Sequence, residues 1–574
     1  MATFLKSNQF STDQETILHT TLKSPIPKVS YPSWYSPETG IYHSQHPAIT
    51  LPSDPFLDIV SFIFSHKHNG LTALIDSSSG FFLSYSKLFS LVKSIASGLH
   101  QMGVTQGDVV LISLPNSIHF PVIFLGISSL GAVVTAINPL SSINEIKKQV
   151  LDCKPSLAFC LPEKVDEMSA LGLFPVIAVP NTEFLMSNSE YSESSVFYKL
   201  ISSDPNLAPR PKLSQDDTAA ILYSSGTTGT CKGTMLTHGN FIAMVALFVR
   251  FEASTYSDSP CENVYLASLP MFHIYGLALF VTGLLSLGTK IVVMTKFDAD
   301  EMVGVIDRYG VTHFPMVPPQ LMKLTKKAMN VSGGSLKSLK QVSCGAAPVR
   351  AECTEDFIQA LPHVDFIQGY GMTESTAVGT RGYNTDKFHK YSSVGLLAPN
   401  VQAKVVNWTT GSLLPPGHTG ELWLRSPGTM KGYLNNDTAT KLTIDKDGWL
   451  HTGDIVYFDE DGYLYVVDRL KEVIKYKGFQ IAPADLESVL MSHPQIVDAA
   501  VTGARDEEAG EIPVAFVVRK DGSALSEAAV IEYVAKQVAP YKKVRKVYFI
   551  ASIPRSAGGK ILRRILRTLL ISKI

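Results

Sequence analysis

Short apolar, β-branched runs alternate with helical patterns through residues 70–400: VVLISL, AVVTAIN, TAAILYSS, TKIVVM, THFPMV and VDFIQGYG. A run that is apolar at every position fits a strand covered on both faces, whereas a half-exposed strand alternates apolar with polar. Such runs, alternating with helices, predict βαβ units with parallel sheets and so an α/β fold. From Ser393 the texture changes to short strands and turns, AKVVN, GELWLRS, DGWLHTGD and GYLYVVD, predicting a β-rich subdomain over about 393–468. The charge-dense DRLKEVIKYKG then marks a boundary. The reading is an irregular arm over 1–55, rich in Pro, Ser and Tyr, a large body over 56–470, and a small α+β unit over 471–574. Within the last, EVIKYKGFQI reads as one strand presenting Lys475, Lys477 and Phe479 on one face.

The stretch from Val109 to Asn144 carries no Lys, Arg, Asp or Glu, long enough to raise a transmembrane reading. Pro115, Asn116, His119, Asn138 and Pro139 interrupt it, and strand–helix–strand in a buried core fits better. Ile274–Thr289 is apolar but too short to span, so no transmembrane segment is expected. The N-terminus, MATFLKSNQFSTDQET, lacks the apolar core of a signal peptide. The last residues, Ser572-Lys573-Ile574, resemble the peroxisomal address S-K-L with Ile for Leu. They imply an import receptor as partner and a peroxisomal location, with the cytosol as the alternative. The preceding ILRRILRTLL is amphipathic and basic, so an anionic membrane surface competes as its partner.

Charge alters this picture only when divided. Over 574 residues, 50 Lys+Arg against 51 Asp+Glu give a net charge of −1, which argues against nucleic acid as a partner. Residues 472–574, however, hold 16 basic and 11 acidic side chains, and none of the acids lies beyond Tyr541. The six cysteines show neither a CxxC nor a metal-binding spacing, which fits buried, reduced thiols.

The chemistry begins at ILYSSGTTGTCKG. A buried strand ends in Ser224, Ser225, Gly226, Thr227, Thr228 and Gly229, with Lys232 following. Small residues let backbone amides approach an anion, hydroxyls add donors, and the lysine supplies a mobile cation. The nucleotide-kinase pattern G-x-x-x-x-G-K-[ST] fails, because Cys231 precedes Lys232 and Gly233 follows it.

This loop resembles the S-S-G-T-T-G-x-P-K-G signature of the adenylate-forming superfamily, except that Cys231 stands where that form has proline. The superfamily's other motifs follow in order, and the resemblance covers about residues 60–567. QGYGMTE implies Gln368, Gly369, Tyr370 and Thr373 around adenine and the α-phosphate, and Glu374 on Mg²⁺. WLHTGD implies Asp454 on the ribose, with Arg469 as a second contact. PRSAGGKILRR implies Lys560 as the catalytic lysine between carboxylate and α-phosphate. The resemblance further implies ATP and coenzyme A as substrates and a hinge at Lys471. On rotation, Lys477 and Gly478 would contact coenzyme A together with Lys296, while Lys475 and Gln480 assist catalysis.

LPMFHIYGL resembles the plant 4-coumarate–CoA ligase branch, which implies His273 and Tyr275 along the acyl or pantetheine channel. CGAAP places Gly345 and Ala346 in the acyl wall, with Gly369 and Gly371 as its floor. Three departures matter: GELWLRS replaces GEICIRG, Ser343 stands in place of an expected lysine, and Ala377 in place of an expected proline. Both pocket changes are expected to enlarge or depolarise the site, favouring a fatty, jasmonate-precursor or bulkier aromatic acid over 4-coumarate. The activity so implied is ATP-dependent formation of an acyl-adenylate and then an acyl-CoA thioester. A luciferase-like oxygenase, a peptide-synthetase adenylation module and a nucleotide-binding pseudoenzyme are the competing readings.

Overall fold

A computed structural model describes residues 31–66, 68–173, 175–180, 195–224, 232–256, 260–331, 334–384, 389–476, 479–506, 509–538, 540–556 and 559–572. The Ser225–Cys231 part of the phosphate loop, Lys477-Gly478 and Lys573-Ile574 lie outside them.

The apolar runs form strands of two large sheets. In one, Val133–Ala136, Val109–Ser113, Leu157–Cys160 and Val176–Ala178 run parallel beside Thr218–Ser224, which leads into the phosphate loop. Lys232–Thr237 returns antiparallel beside it. The uncharged stretch is a strand–helix–strand, its helix His119–Ser129 buried along almost its whole length. Among the described residues, no helix is long and apolar enough to cross a membrane.

The other sheet carries His313–Met316, Gln341–Cys344 and Asp365–Tyr370 in parallel, then the short antiparallel strand Thr380–Arg381. Between these sheets the chain forms two π-helical turns, Val245–Arg250 and Leu277–Gly283, which touch one another. Gly283 makes that contact possible, since a Cβ there would lie 2.6 Å from Val249 Cγ2. Single π turns arise where a helix must widen, often beside a ligand site.

Two expectations need correction. The supposed irregular arm contributes the strands Tyr35–Ser36 and Ile41–His43, and the latter pairs with Gln402–Val406 in an antiparallel six-stranded sheet. Its aromatic side chains explain this: Tyr42 is fully buried and stacks on Phe458 at 4.4 Å. Secondly, EVIKYKGFQI is not one strand. Ile474–Tyr476 and Phe479–Ile481 are antiparallel, with Lys475 opposite Gln480, so the run is a hairpin. A glycine inside a strand pattern is where such a run breaks.

The remaining strands, Gly510–Arg519, Ile496–Asp506 and Lys546–Phe549, complete a five-stranded sheet. Against it packs Arg563–Ser572, burying Leu566 and Leu570 beside Phe516. Arg563 pairs with Glu487 at 2.6 Å and Arg567 with Glu472 at 3.0 Å. The helix therefore spends Leu566 and Leu570 and the Arg563–Glu487 pair on the fold, while Arg564 and Ile565 stay exposed.

Candidate active site

The ends of these strands surround a cavity of about 450 Å³. Its lining runs from Gln368–Glu374, Thr452, Arg469, Ser556 and Lys560 at one end to Met244, Phe248, Val249, Ala278 and Leu279 at the other. His273, Tyr275, Gly345 and Ala346 lie along it.

At the polar end the strand register does the positioning. Asp454 and Arg469 are opposite partners on neighbouring antiparallel strands, with Asp454 Oδ1 3.0 Å from Arg469 Nε. The Tyr370 hydroxyl donates to Asp454 Oδ2 at 2.6 Å. Burial, and then this carboxylate, hold the Tyr370 phenol well above its ordinary range. Gln368 donates its side-chain amide to the Tyr391 carbonyl at 2.7 Å, which fixes the strand end.

Glu374 is buried, and Oε1 accepts from the Tyr433 hydroxyl at 2.9 Å. Lys232 Nζ lies 4.7 Å from the centroid of the same Tyr433 ring. One tyrosine that no motif signals therefore ties the lysine after the phosphate loop to the motif carboxylate. No group of three His, Cys, Asp or Glu able to hold a metal occurs among the described residues. The lone carboxylate suits Mg²⁺, which is commonly bound by one or two carboxylates with substrate phosphates completing its octahedron.

Lys560 reaches this end from the C-terminal unit. Its backbone is held by Ser556, and Gly559, at φ +78°, passes so close to Pro319 that a Cβ would lie 2.8 Å from Cδ. Burial, then the neighbouring cations Arg469 and Lys471, lower the Lys560 pKa to about 8. His273 caps the turn Ile274–Gly276, and its exposed surface faces the cavity. Burial within the protein, and then Lys560, lower its pKa and favour the neutral ring.

The apolar end departs from expectation in two ways. Ala377 lies at φ +61° and Thr376 at φ +52°. Proline, fixed near −65°, cannot take that conformation, so the alanine changes the backbone path as well as the volume. The bend is held by Ala377 N–H donating to Met372 O at 3.0 Å and Thr376 Oγ1 to Gly428 O at 2.7 Å. It also explains Gly371, where a Cβ would lie 2.5 Å from Ala377 O. Gly345 in turn leaves room for the Tyr275 ring, 3.2 Å from where its Cβ would stand. The second departure is polarity. Ser343 is short, as expected, but Arg381 stands on the same wall, so the pocket is not depolarised.

Several expected residues are not gathered here. Lys296 and Lys475 are exposed and do not line the cavity, and Gln480 pairs with Lys475 across the hairpin. Lys471 lies in the turn Leu470–Glu472, immediately after the strand that carries Arg469.

Residues 64–434 match the family described as AMP-binding enzyme, and residues 485–560 match AMP-binding enzyme C-terminal domain. The chain is 60% identical over 544 residues to 4-coumarate–CoA ligase-like 6 of Arabidopsis thaliana, covering 95% of this chain and 96% of the relative. It is 44% identical to Peroxisomal OPC-8:0-CoA ligase 1 of the same plant, over 93% of this chain and 96% of that one. The crystal structure of ATP-bound MatB from Rhodopseudomonas palustris matches with a TM-score of 0.80 at 27% identity, covering 89% of this chain and 98% of MatB.

Proposed function

The chain belongs to the AMP-binding enzyme family and is an ATP-dependent carboxylate–CoA ligase of the 4-coumarate–CoA ligase-like kind; on that premise we propose how its residues divide the work. The carrying observation is that one cavity of about 450 Å³ joins Lys560, Glu374 and Arg469 to the apolar side chains Met244, Phe248, Val249, Ala278 and Leu279.

In the first half-reaction the substrate carboxylate oxygen attacks the α-phosphorus of ATP and pyrophosphate leaves. The barrier is largely the approach of two anions, so positioning and fixed positive charge supply the catalysis. Lys560 brings an ammonium between carboxylate and α-phosphate, and Thr373 donates to the same phosphate. Asp454 and Arg469 hold the ribose, and Gly369 and Tyr370 frame adenine. Ser224–Thr228 and Lys232 take the β- and γ-phosphates. Mg²⁺, held by Glu374, neutralises phosphate charge when bound. In the second half-reaction the coenzyme A thiol loses its proton and its sulfur attacks the acyl carbon, expelling AMP. The exposed position of Lys475 and Lys296 supports a turn of residues 471–574 about Lys471 before this step, bringing Lys475, Lys477, Gly478 and Gln480 to the site.

Met244, Phe248, Val249, Ala278 and Leu279 support a fatty, cyclopentane-bearing or bulky aromatic acid as substrate. A ligase assay over hydroxycinnamic, benzoic, medium- and long-chain and cyclopentanone-chain acids tests the assignment. Acyl-CoA, AMP and pyrophosphate are expected from at least one class, and none from any would overturn it. The Ser572-Lys573-Ile574 terminus supports import into peroxisomes. Deleting it is expected to leave a tagged protein in the cytosol, and unchanged peroxisomal location would sink that reading.

A further inference from the structure

No motif marks Tyr433, yet its side chain touches residues of two. Its hydroxyl donates to Glu374 Oε1 at 2.9 Å, and Lys232 Nζ lies 4.7 Å from its ring centroid. The tyrosine is 4% exposed and does not line the cavity, whereas Glu374 does. Whatever it contributes to a bound ligand, it contributes through its neighbours.

The backbone that carries it is tied on several sides. Gly432–Tyr433 is a two-residue strand paired antiparallel with Lys232–Thr237, the strand that leaves the phosphate loop. Leu434 N–H donates to Gly233 O at 2.7 Å and Lys431 N–H to Met235 O at 3.0 Å. Met430 N–H donates to Glu374 O at 2.9 Å, so this segment holds the backbone of the glutamate as well as its side chain. Two residues after Tyr433, Asn435 Nδ2 donates to the Asp152 carbonyl at 3.1 Å. Asp152 Oδ2 accepts from the hydroxyl of Tyr223, the residue before Ser224, at 2.7 Å. Residues 430–435 therefore brace both strands that flank the phosphate loop and the motif that carries Glu374. A glutamate carboxylate turns readily about its last bond, so a rigidly held donor on one oxygen sets where the group points. Hydrogen-bonded partners of metal-ligating carboxylates typically change metal affinity by about 10–100-fold when they are removed. A neutral hydroxyl also orients the group without cancelling the charge that a cation would meet.

We propose that Tyr433 is a positioning residue for adenylation, whose hydroxyl aims the Glu374 carboxylate at the Mg²⁺ that accompanies ATP. The inference rests on the ligase reading above, in which Glu374 holds that ion, and adds to it a residue to which that reading gives no role.

The test separates nucleotide from metal with α,β-methylene-ATP, which binds without being cleaved between the α- and β-phosphates. Calorimetry gives its Kd in excess MgCl2 and in EDTA, and the ratio reads how much more tightly Mg²⁺ is held on the enzyme-bound nucleotide than on the free one. In the wild type Mg²⁺ is expected to tighten binding. Tyr433→Phe keeps the ring beside Lys232 and removes only the hydroxyl. It is expected to lower that gain by about tenfold or more while the Kd in EDTA stays unchanged. The Mg²⁺ concentration for half-maximal adenylation should rise by the same factor, with the rate at saturating Mg²⁺ little changed. A merely structural tyrosine would lower the rate at every Mg²⁺ concentration. Glu374→Gln/Tyr433→Phe is expected to match Glu374→Gln alone, because no carboxylate is left to aim; this pair decides the matter if Tyr433→Phe does not fold. No Mg²⁺ gain in the wild type, an unchanged gain in Tyr433→Phe, or a further loss in the double variant would overturn the proposal. Failure of the wild type to bind the analogue in either condition would instead overturn the ligase reading.

Discussion

The two ends of the cavity are built on opposite principles. At the nucleotide end, polar groups face one another across short, regular strands: Asp454 opposite Arg469, Tyr370 on the same carboxylate, and Tyr433 between Lys232 and Glu374. At the acyl end the walls are irregular, two π turns and a left-handed bend at Thr376 and Ala377, with one buried ion pair among apolar side chains. ATP is the same molecule for every enzyme of this chemistry, so its site can be a fixed register of charges. The acid differs between enzymes, and irregular backbone changes shape with few substitutions.

The sharpest way to break this comparison is to remove the cation that the C-terminal unit brings to the polar end. Lys560→Ala is expected to lower acyl-adenylate formation by about a hundredfold or more, the scale of losing one preorganised donor. Conversion of preformed acyl-adenylate to thioester should persist. Rapid-quench measurement of each half-reaction checks this, and equal loss of both would show that Lys560 is not confined to the first. A middling effect is expected from Ala377→Pro. Proline can neither adopt φ +61° nor donate to Met372, so the variant should lose about 3 kcal/mol of stability, read as a lower unfolding midpoint, and most turnover. Ala377→Gly, which accepts that φ freely, should retain both. The smallest effect concerns pH. Lys560 acts as an ammonium, and burial beside Arg469 and Lys471 lowers its pKa to about 8. Raising pH through that value deprotonates it, so kcat/KM for adenylation should fall about fourfold between pH 7 and 8.5, while thioester formation shows no such limb. A flat adenylation profile would mean that the lysine stays charged throughout.

Much of the polar end could be read from the residues in order, because its groups sit on short motifs at fixed places along strand ends: QGYGMTE, WLHTGD, DRLKE and PRSAGGK. Tyr433 could not, since its neighbours spell no motif and its value lies in touching Glu374 and Lys232 from a different strand. EVIKYKGFQI reads as one strand because its apolar–polar alternation runs on without a break, but the pairing of Tyr476 with Phe479 puts Phe479 on the Tyr476 face, away from Lys475, which no period within a single segment signals. At the acyl end the departures at Ser343 and Ala377 were visible, but their consequences were not. Reading Ser343 as a loss of charge missed Arg381, a neighbour only through the strand pairing of Thr380–Arg381 with Asp365–Tyr370.

What the sequence determined by itself was the class of fold and the family whose motifs the chain carries. Apolar runs demand burial wherever they fall, and an anion demands the same few donors in any context. Tertiary structure alone decided which of the motif residues meet, that Lys560 rather than Lys475 reaches the cavity, and that a guanidinium stands on its wall. Those outcomes depend on distances between segments far apart in the chain, which the periodicity of a single segment does not encode.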